Sequence, residues 1–156
     1  MSPERSPDEP RIGGEPAAAR HRARRAALQM LYQWEIGRAG VGEAIATYWP
    51  ARDAGERLEE PHEAFANDLV RGTVSRLEEI DRLLAEHTRN WRVERMAVLD
   101  RLVLRLAVYE LLAEPDTPAR VIINEAIELA RAFSGEEAVA FVNGILDAIR
   151  KGLSRD

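Results

Sequence analysis

Cysteine is absent from this chain of 156 residues, which excludes disulfide bonds and thiolate metal sites. No apolar run approaches the roughly 20 residues that a membrane-spanning helix needs, and the N-terminus lacks the apolar stretch of a signal peptide. We therefore expect a cytoplasmic protein with no membrane partner. A chain of this length is expected to form one domain that buries roughly 68–70% of its unfolded surface, enough for a core without covalent cross-links.

Sequence patterns for catalysis are missing as well. The chain has no phosphate-binding loop, no H-E-x-x-H motif and no serine nucleophile beside a placed base. The three histidines, His21, His62 and His87, are too scattered to form a metal site. The sequence thus predicts a protein that is not an enzyme and that needs neither a cofactor nor a metal ion.

Lysine occurs once, against 21 arginines, so arginine by itself is no sign of RNA binding and only its clustering is informative. The net charge of −5 argues against bulk attraction to nucleic acid or to an anionic membrane. The charge is uneven, however. Residues 1–25 carry a net charge of +2, whereas the remaining 131 residues carry −7.

Apolar residues recur at helical spacing over most of the chain, and no alternation of useful length indicates a strand. Residues 1–16 hold four of the eight prolines and almost nothing apolar, which predicts a disordered tail. The spacing predicts helices at about 17–38, 42–49, 61–87 and 92–113, with a charged connector at 51–60. The 92–113 helix is apolar nearly all round, so we expect it to be central.

Two further helices are predicted before a short C-terminal tail at residues 152–156. Thr117 and Pro118 are typical of a helix start, and Ser134 and Glu137 have the spacing of a capping box. The sequence therefore predicts an all-α fold of six or seven helices, arranged as one compact bundle or as two fused bundles.

A basic cluster lies at the start of the first helix and comprises Arg20, His21, Arg22, Arg24 and Arg25. At about 100° per residue, most of this cluster projects beside the apolar face, together with Tyr32. Cations that hold phosphates beside a ring that stacks on a base are the combination that binds single-stranded RNA. The alternative is a solvated helix face, although arginines in a first turn oppose the helix dipole.

Two phenylalanines near the end of the chain are the second candidates. Core packing is the simpler interpretation for both Phe133 and Phe141. Alternatively, one or both border a surface with Asn143, whose amide can donate to and accept from a base edge. The following Gly144 costs a helix about 1 kcal/mol relative to alanine, which indicates close helix packing or a surface that a partner approaches.

Acidic residues around the most apolar helix form the third candidate site. Asp100 lies within that helix and Glu94 lies near its start. Both are either part of an exposed stripe or negative anchors for a basic protein partner, which the acidic body of the chain would suit.

Four blocks of sequence, RHRARRAALQMLYQWE, LRLAVYELL, INEAIELARAF and FVNGILDAI, resemble the bacterial transcription antitermination factor NusB family in order and spacing. The resemblance covers about residues 17–151. It implies two small helical bundles packed side by side. It also implies binding to the boxA element of nascent ribosomal RNA, jointly with the ribosomal protein NusE, within the antitermination complex on RNA polymerase.

By position, the resemblance implies an RNA surface made of His21, Arg22, Arg24, Tyr32, Phe133, Glu137, Phe141 and Asn143. It places Glu94 and Asp100 on the NusE side. His21 stands where arginine or lysine is usual, which weakens phosphate contact when the histidine is neutral. Glu137 stands where aspartate is also common.

Other interpretations remain open at this stage. A helical protein–protein regulator would use the arginine strip to bind an acidic surface. An accessory domain of an RNA methyltransferase is another possibility, although the chain contains no cofactor-binding βαβ pattern. A homodimer formed through Tyr32 and its neighbours would hide the RNA site.

Overall fold

A computed structural model describes residues 14–88 and 96–156. Its seven α-helices are α1 (Gly14–Ile36), α2 (Val41–Tyr48), α3 (Glu60–Ser75), α4 (Leu77–His87), α5 (Val98–Ala113), α6 (Ala119–Phe133) and α7 (Glu137–Gly152). The described residues contain no strand, and the predicted all-α fold is confirmed. Most of the predicted tail and the start of the predicted 92–113 helix lie outside the described residues.

Helix α5 is central, as its apolar sequence predicted. It contacts α1, α3, α4, α6 and α7. The buried apolar residues of α5 are Leu102, Val103, Leu104, Leu106, Ala107, Val108 and Leu111. Each fully buried leucine contributes roughly 1.5–3 kcal/mol through burial of apolar surface. Helices α1, α2 and α3 pack on one another, α4 to α7 form the second group, and α5 joins the two bundles.

The prediction of a single helix at 61–87 is wrong, because the helix is interrupted at Arg76. The backbone there has φ −109° and ψ 22°, which ends α3 before α4 begins. Just before the break, the hydroxyls of Thr73 and Ser75 donate to the carbonyls of Leu69 and Gly72. The apolar spacing continues through the break because both helices face the same core, so the pattern could not reveal it.

The predicted caps of the last two helices are also wrong. Pro118 precedes α6 without a side-chain cap, and Thr117 is instead buried, with its carbonyl accepting a hydrogen bond of 2.5 Å from Arg155. Helix α7 begins at Glu137 after an uncapped Glu136. The turn between the two helices relies on Gly135, whose φ of +114° suits glycine.

Two ion pairs link α5 to its neighbours. Arg105 donates to both carboxylate oxygens of Asp81 in α4, each at 2.9 Å. Arg101 donates to Glu35 in α1 at 2.6 Å. The first pair lies within the second bundle, and the second pair connects that bundle to the end of α1. None of the helices in the described ranges is both long enough and apolar enough to traverse a bilayer.

Candidate nucleic-acid interface

The face of α1 that meets the core is wider than the helical spacing predicted, and it includes one residue of the basic cluster. Arg24 is only 3% exposed. Its Nε donates to both carboxylate oxygens of Glu110 in α5, at 2.7 and 3.0 Å. Burial raises the pKa of Glu110, and the Arg24 guanidinium opposes that rise. The expectation that Arg24 contacts RNA is therefore corrected, because a buried charge held by a buried carboxylate is not available to a ligand.

Three other arginines of the cluster remain accessible. Arg20, Arg22 and Arg25 are exposed, and within the described ranges none of them pairs with a carboxylate. The guanidinium carbon of Arg25 lies 5.1 Å from the centre of the Phe133 ring. The guanidinium of Arg22 donates to the carbonyl of Gly55 at 3.2 Å. The start of α1 therefore keeps an open cationic surface.

His21 is only half exposed and contacts the carboxylate of Glu125 in α6. This contact joins α1 to α6. The neighbour of Glu125, Asn124, is exposed. Contact of His21 with RNA stays a prediction.

Aromatic side chains from three helices surround a recess of about 670 Å³ between α1, α5, α6 and α7, which we call the aromatic recess. Among its lining residues are Tyr32, Asp100, Phe133, Ser134, Glu137 and Phe141. Tyr32 is 40% exposed, whereas Phe133 and Phe141 are half-buried and also pack against the core. Core packing therefore accounts for part of both phenylalanines, and Asn143 is not among the residues that line the recess with them. Five residues predicted from separate parts of the chain meet at this recess.

Two buried polar atoms at the aromatic recess lack a hydrogen-bond partner within the described ranges. They are Oδ1 of Asp100 and Oγ of Ser134. An unpaired buried polar group costs free energy, so a ligand that supplies a donor there gains stability. Asp100 was predicted to face NusE and lies at the same recess as the RNA candidates. Glu94 lies outside the described residues.

Asn143 and Gly144 are both exposed on α7. A Cβ added at Gly144 would meet no atom within 4 Å, which excludes close helix packing as the reason for this glycine. The alternative, a surface that a partner approaches, stays a prediction.

Sequence reasoning missed a second group of residues beside this recess. Gln29, Gln33, Tyr48 and Arg52 line an adjoining cleft of about 360 Å³. The available signal was Tyr48-Trp49 at the end of α2 followed closely by Arg52, but this stretch was interpreted as a helix end and connector. Within the described ranges, no cluster of three or more His, Asp or Glu residues could hold a metal ion.

The NusB family model matches residues 21–151. A transcription antitermination protein NusB from Solibacter usitatus is 49% identical over 134 residues, which cover 86% of this chain and 90% of that protein. The T. maritima NusB structure has a TM-score of 0.75 at 38% identity and covers 85% of this chain and 90% of its own.

A structure of antitermination factors NusB and NusE in complex with dsRNA is also similar, with a TM-score of 0.77 at 27% identity over 86% of this chain and 98% of that one. Sequence and fold therefore agree over most of the length. The chain belongs to the NusB family.

Proposed function

We propose that this chain is a transcription antitermination factor that binds the boxA element of nascent ribosomal RNA together with the ribosomal protein NusE. The observation that carries this proposal is the exposed arginine group Arg20, Arg22 and Arg25, of which Arg25 lies over the Phe133 ring of the aromatic recess. Relatives are named transcription antitermination proteins, and a similar structure contains NusB, NusE and RNA. Nascent bacterial transcripts are made in the cytoplasm, so we propose that the chain acts there.

The site provides the two contacts that single-stranded RNA needs. Exposed guanidinium groups attract phosphates, and the rings of Tyr32, Phe133 and Phe141 offer surfaces on which unstacked bases lie. The unpaired Oδ1 of Asp100 accepts a hydrogen bond from a base amine or from a basic side chain of the protein partner.

The mechanism proposed is that of a non-catalytic adaptor. Three exposed arginines on an acidic chain give modest affinity for RNA, and NusE contributes further surface and positive charge. The joint complex then holds the boxA segment near RNA polymerase and suppresses premature termination. No cofactor takes part in this mechanism.

The test is a titration of fluorescent boxA RNA, with a scrambled RNA as control, against the wild type and the Arg22→Ala/Arg25→Ala double variant. We expect the double variant to bind boxA at least about tenfold more weakly, because two charge-assisted phosphate contacts are lost. Arg82→Ala is the matched control, since Arg82 is an exposed arginine on α4.

The titrations are repeated with NusE, which should increase affinity for boxA more than affinity for the scrambled RNA. Equal binding of both RNAs by the wild type, with and without NusE, would contradict the proposal. Equal affinity of the wild type and the double variant would leave RNA binding in place but remove the arginine surface from it.

A further inference from the structure

The cleft that sequence reasoning missed lies between α1 and the end of α2, and we call it the α2 cleft. Its polar and aromatic lining consists of Gln29, Tyr32, Gln33, Tyr48, Arg52 and Phe133. Tyr32 and Phe133 also line the aromatic recess, so the two depressions adjoin. A third depression, of about 290 Å³, shares Gln29 and Tyr48 with the α2 cleft and reaches Arg22 and Arg25. The three depressions therefore follow one another along α1, each sharing lining residues with the next.

The aromatic wall of the α2 cleft is held in place by its neighbours. The hydroxyl of Tyr48 donates to Oε1 of Gln29 in α1. The adjacent Trp49 is buried, and its indole donates to Asn67 in α3 at 2.9 Å. Burial raises the pKa of Tyr48, against the opposing effect of Arg52, so the hydroxyl stays a donor at neutral pH. The ring is therefore positioned before any ligand arrives.

A cation lies over this ring. The guanidinium carbon of Arg52 is 4.5 Å from the centre of the Tyr48 ring. Within the described part of the chain its Nε is buried without a hydrogen-bond partner, and Arg52 pairs with no carboxylate. A buried charged donor without an acceptor is costly, so the site favours an anionic group.

The remaining lining can read a base edge. Gln33 is exposed and lines the cleft, and its amide carries both a donor and an acceptor. A stacking ring, an amide and an unpaired cation suit one nucleotide: its base on the ring, its edge at the amide, its phosphate at the guanidinium. An acidic peptide would use the cation but neither the ring face nor the amide pair.

We propose that the α2 cleft binds one unpaired nucleotide of single-stranded RNA, with the base stacked on Tyr48 and the phosphate held by Arg52. The RNA track then extends from the aromatic recess through the α2 cleft towards Arg22 and Arg25. This inference rests on the proposed function. It adds a nucleotide-binding position to which α6 contributes Phe133 and α7 contributes no described lining residue.

The experiment compares boxA RNA binding by the wild type, Tyr48→Ala, Tyr48→Phe and Arg52→Gln, with Arg82→Ala as the control. We expect Tyr48→Ala to weaken binding by about 5- to 100-fold, the range found when a stacking ring is lost. Tyr48→Phe keeps the ring but loses its hydrogen bond to Gln29, so it should weaken binding less than Tyr48→Ala does. Arg52→Gln should weaken binding and make the slope of log affinity against log salt shallower by about 0.7, the loss of one phosphate.

A second measurement does not depend on any variant. RNA carrying 4-thiouridine in place of each boxA uridine in turn is cross-linked to the wild-type chain, and the attached peptide is identified by mass spectrometry. One position should cross-link to the peptide that contains Tyr48. Circular dichroism melting of each variant separates loss of binding from loss of folding.

The possible failures are distinguishable. If the wild type binds boxA no better than scrambled RNA, the proposed function fails and this inference fails with it. If the wild type binds boxA but neither Tyr48→Ala nor Arg52→Gln weakens binding and no cross-link reaches Tyr48, only this inference is wrong. It is also wrong if Arg52→Gln weakens NusE binding alone, since the cleft would then serve a protein.

Discussion

At the scale of single residues, Arg24 shows how position within a cluster decides what a charge does. Its neighbours Arg22 and Arg25 point to solvent, whereas Arg24 turns to Glu110, which is 86 residues away in the sequence. The guanidinium also lies 5.5 Å from the Phe65 ring of α3. The pair joins α1 to α5 and fixes the helix that carries the exposed arginines.

Removing one member of this pair should destabilise the protein strongly. Arg24→Ala leaves the carboxylate of Glu110 buried and unpaired, and we expect the free energy of unfolding to fall by about 3–5 kcal/mol. Urea denaturation followed by circular dichroism measures the change. The double variant Arg24→Met/Glu110→Leu, which removes both charges, should recover most of the loss. A single variant that loses less than about 1 kcal/mol would show that the pair carries little stability.

The same carboxylate should make stability depend on pH. Because burial raises the pKa of Glu110, the folded protein holds this proton more tightly than the unfolded chain does. Its contribution is fully present below the ordinary glutamate pKa of about 4.3 and is lost as the pH rises through the folded value. We compare wild type with Glu110→Gln, which cannot titrate there. The free energy of unfolding of the wild type should fall relative to the variant as pH rises, and a constant difference would contradict this.

Sequence reasoning could place the basic cluster on a helix but not orient each member. A helical projection puts Arg24 at the edge of the apolar face. That face widens in the structure because α3 covers one side of α1 while α5 contacts another. The carboxylate that Arg24 contacts depends on this packing. Local sequence spacing shows neither the packing nor the carboxylate. Tyr32, Phe133 and Phe141 could be singled out as candidates, but only the fold brings them to one recess.

At the scale of helices, the two glycines Gly72 and Gly144 have opposite surroundings. A Cβ at Gly72 in α3 would come within 2.0 Å of the Tyr109 ring of α5, whereas one at Gly144 would meet open space. The same substitution therefore has different consequences on the two helices.

Gly72→Ala should lower the free energy of unfolding by about 1–3 kcal/mol, because the Tyr109 ring or the α3 backbone must shift. Gly144→Ala is the matched control and should raise it by up to about 1 kcal/mol, the gain in helix propensity. Thermal or urea unfolding measures the change in the free energy of unfolding for both variants. If Gly72→Ala were as stable as the wild type, the contact between α3 and α5 would be looser than the structure indicates.

Helix type and order followed from the sequence, but several helix ends did not. Apolar spacing located all the helices except the division at Arg76, where the core-facing pattern runs on through the break. The caps predicted from Thr117 and Ser134 did not form, because the N-cap residue of α6 is Pro118 and that of α7 is Glu136. Thr117 is buried and accepts from Arg155, and the Ser134 hydroxyl is enclosed at the aromatic recess.

At the scale of the whole molecule, a net charge of −5 surrounds a small cationic area. Few phosphates can be neutralised at once, so RNA binding by the isolated chain should depend only weakly on salt. With three or four arginines engaged, the slope of log affinity against log salt should be about −2 to −3 for single-stranded RNA. Titrations over a salt series test this value. A slope near −7, which corresponds to about ten phosphates, would require a much larger basic surface than α1 provides.

Tyr32 and Phe133 form a shared wall, with the aromatic recess on one side and the α2 cleft on the other. A nucleotide that fixes these rings from one side leaves less rotational freedom to be lost when the other side fills. Occupancy of the two depressions should therefore be cooperative. Substitutions on opposite sides of the wall, such as Tyr48→Ala and Phe141→Ala, should then show a measurable coupling energy in a double-mutant cycle, even though their side chains line different depressions.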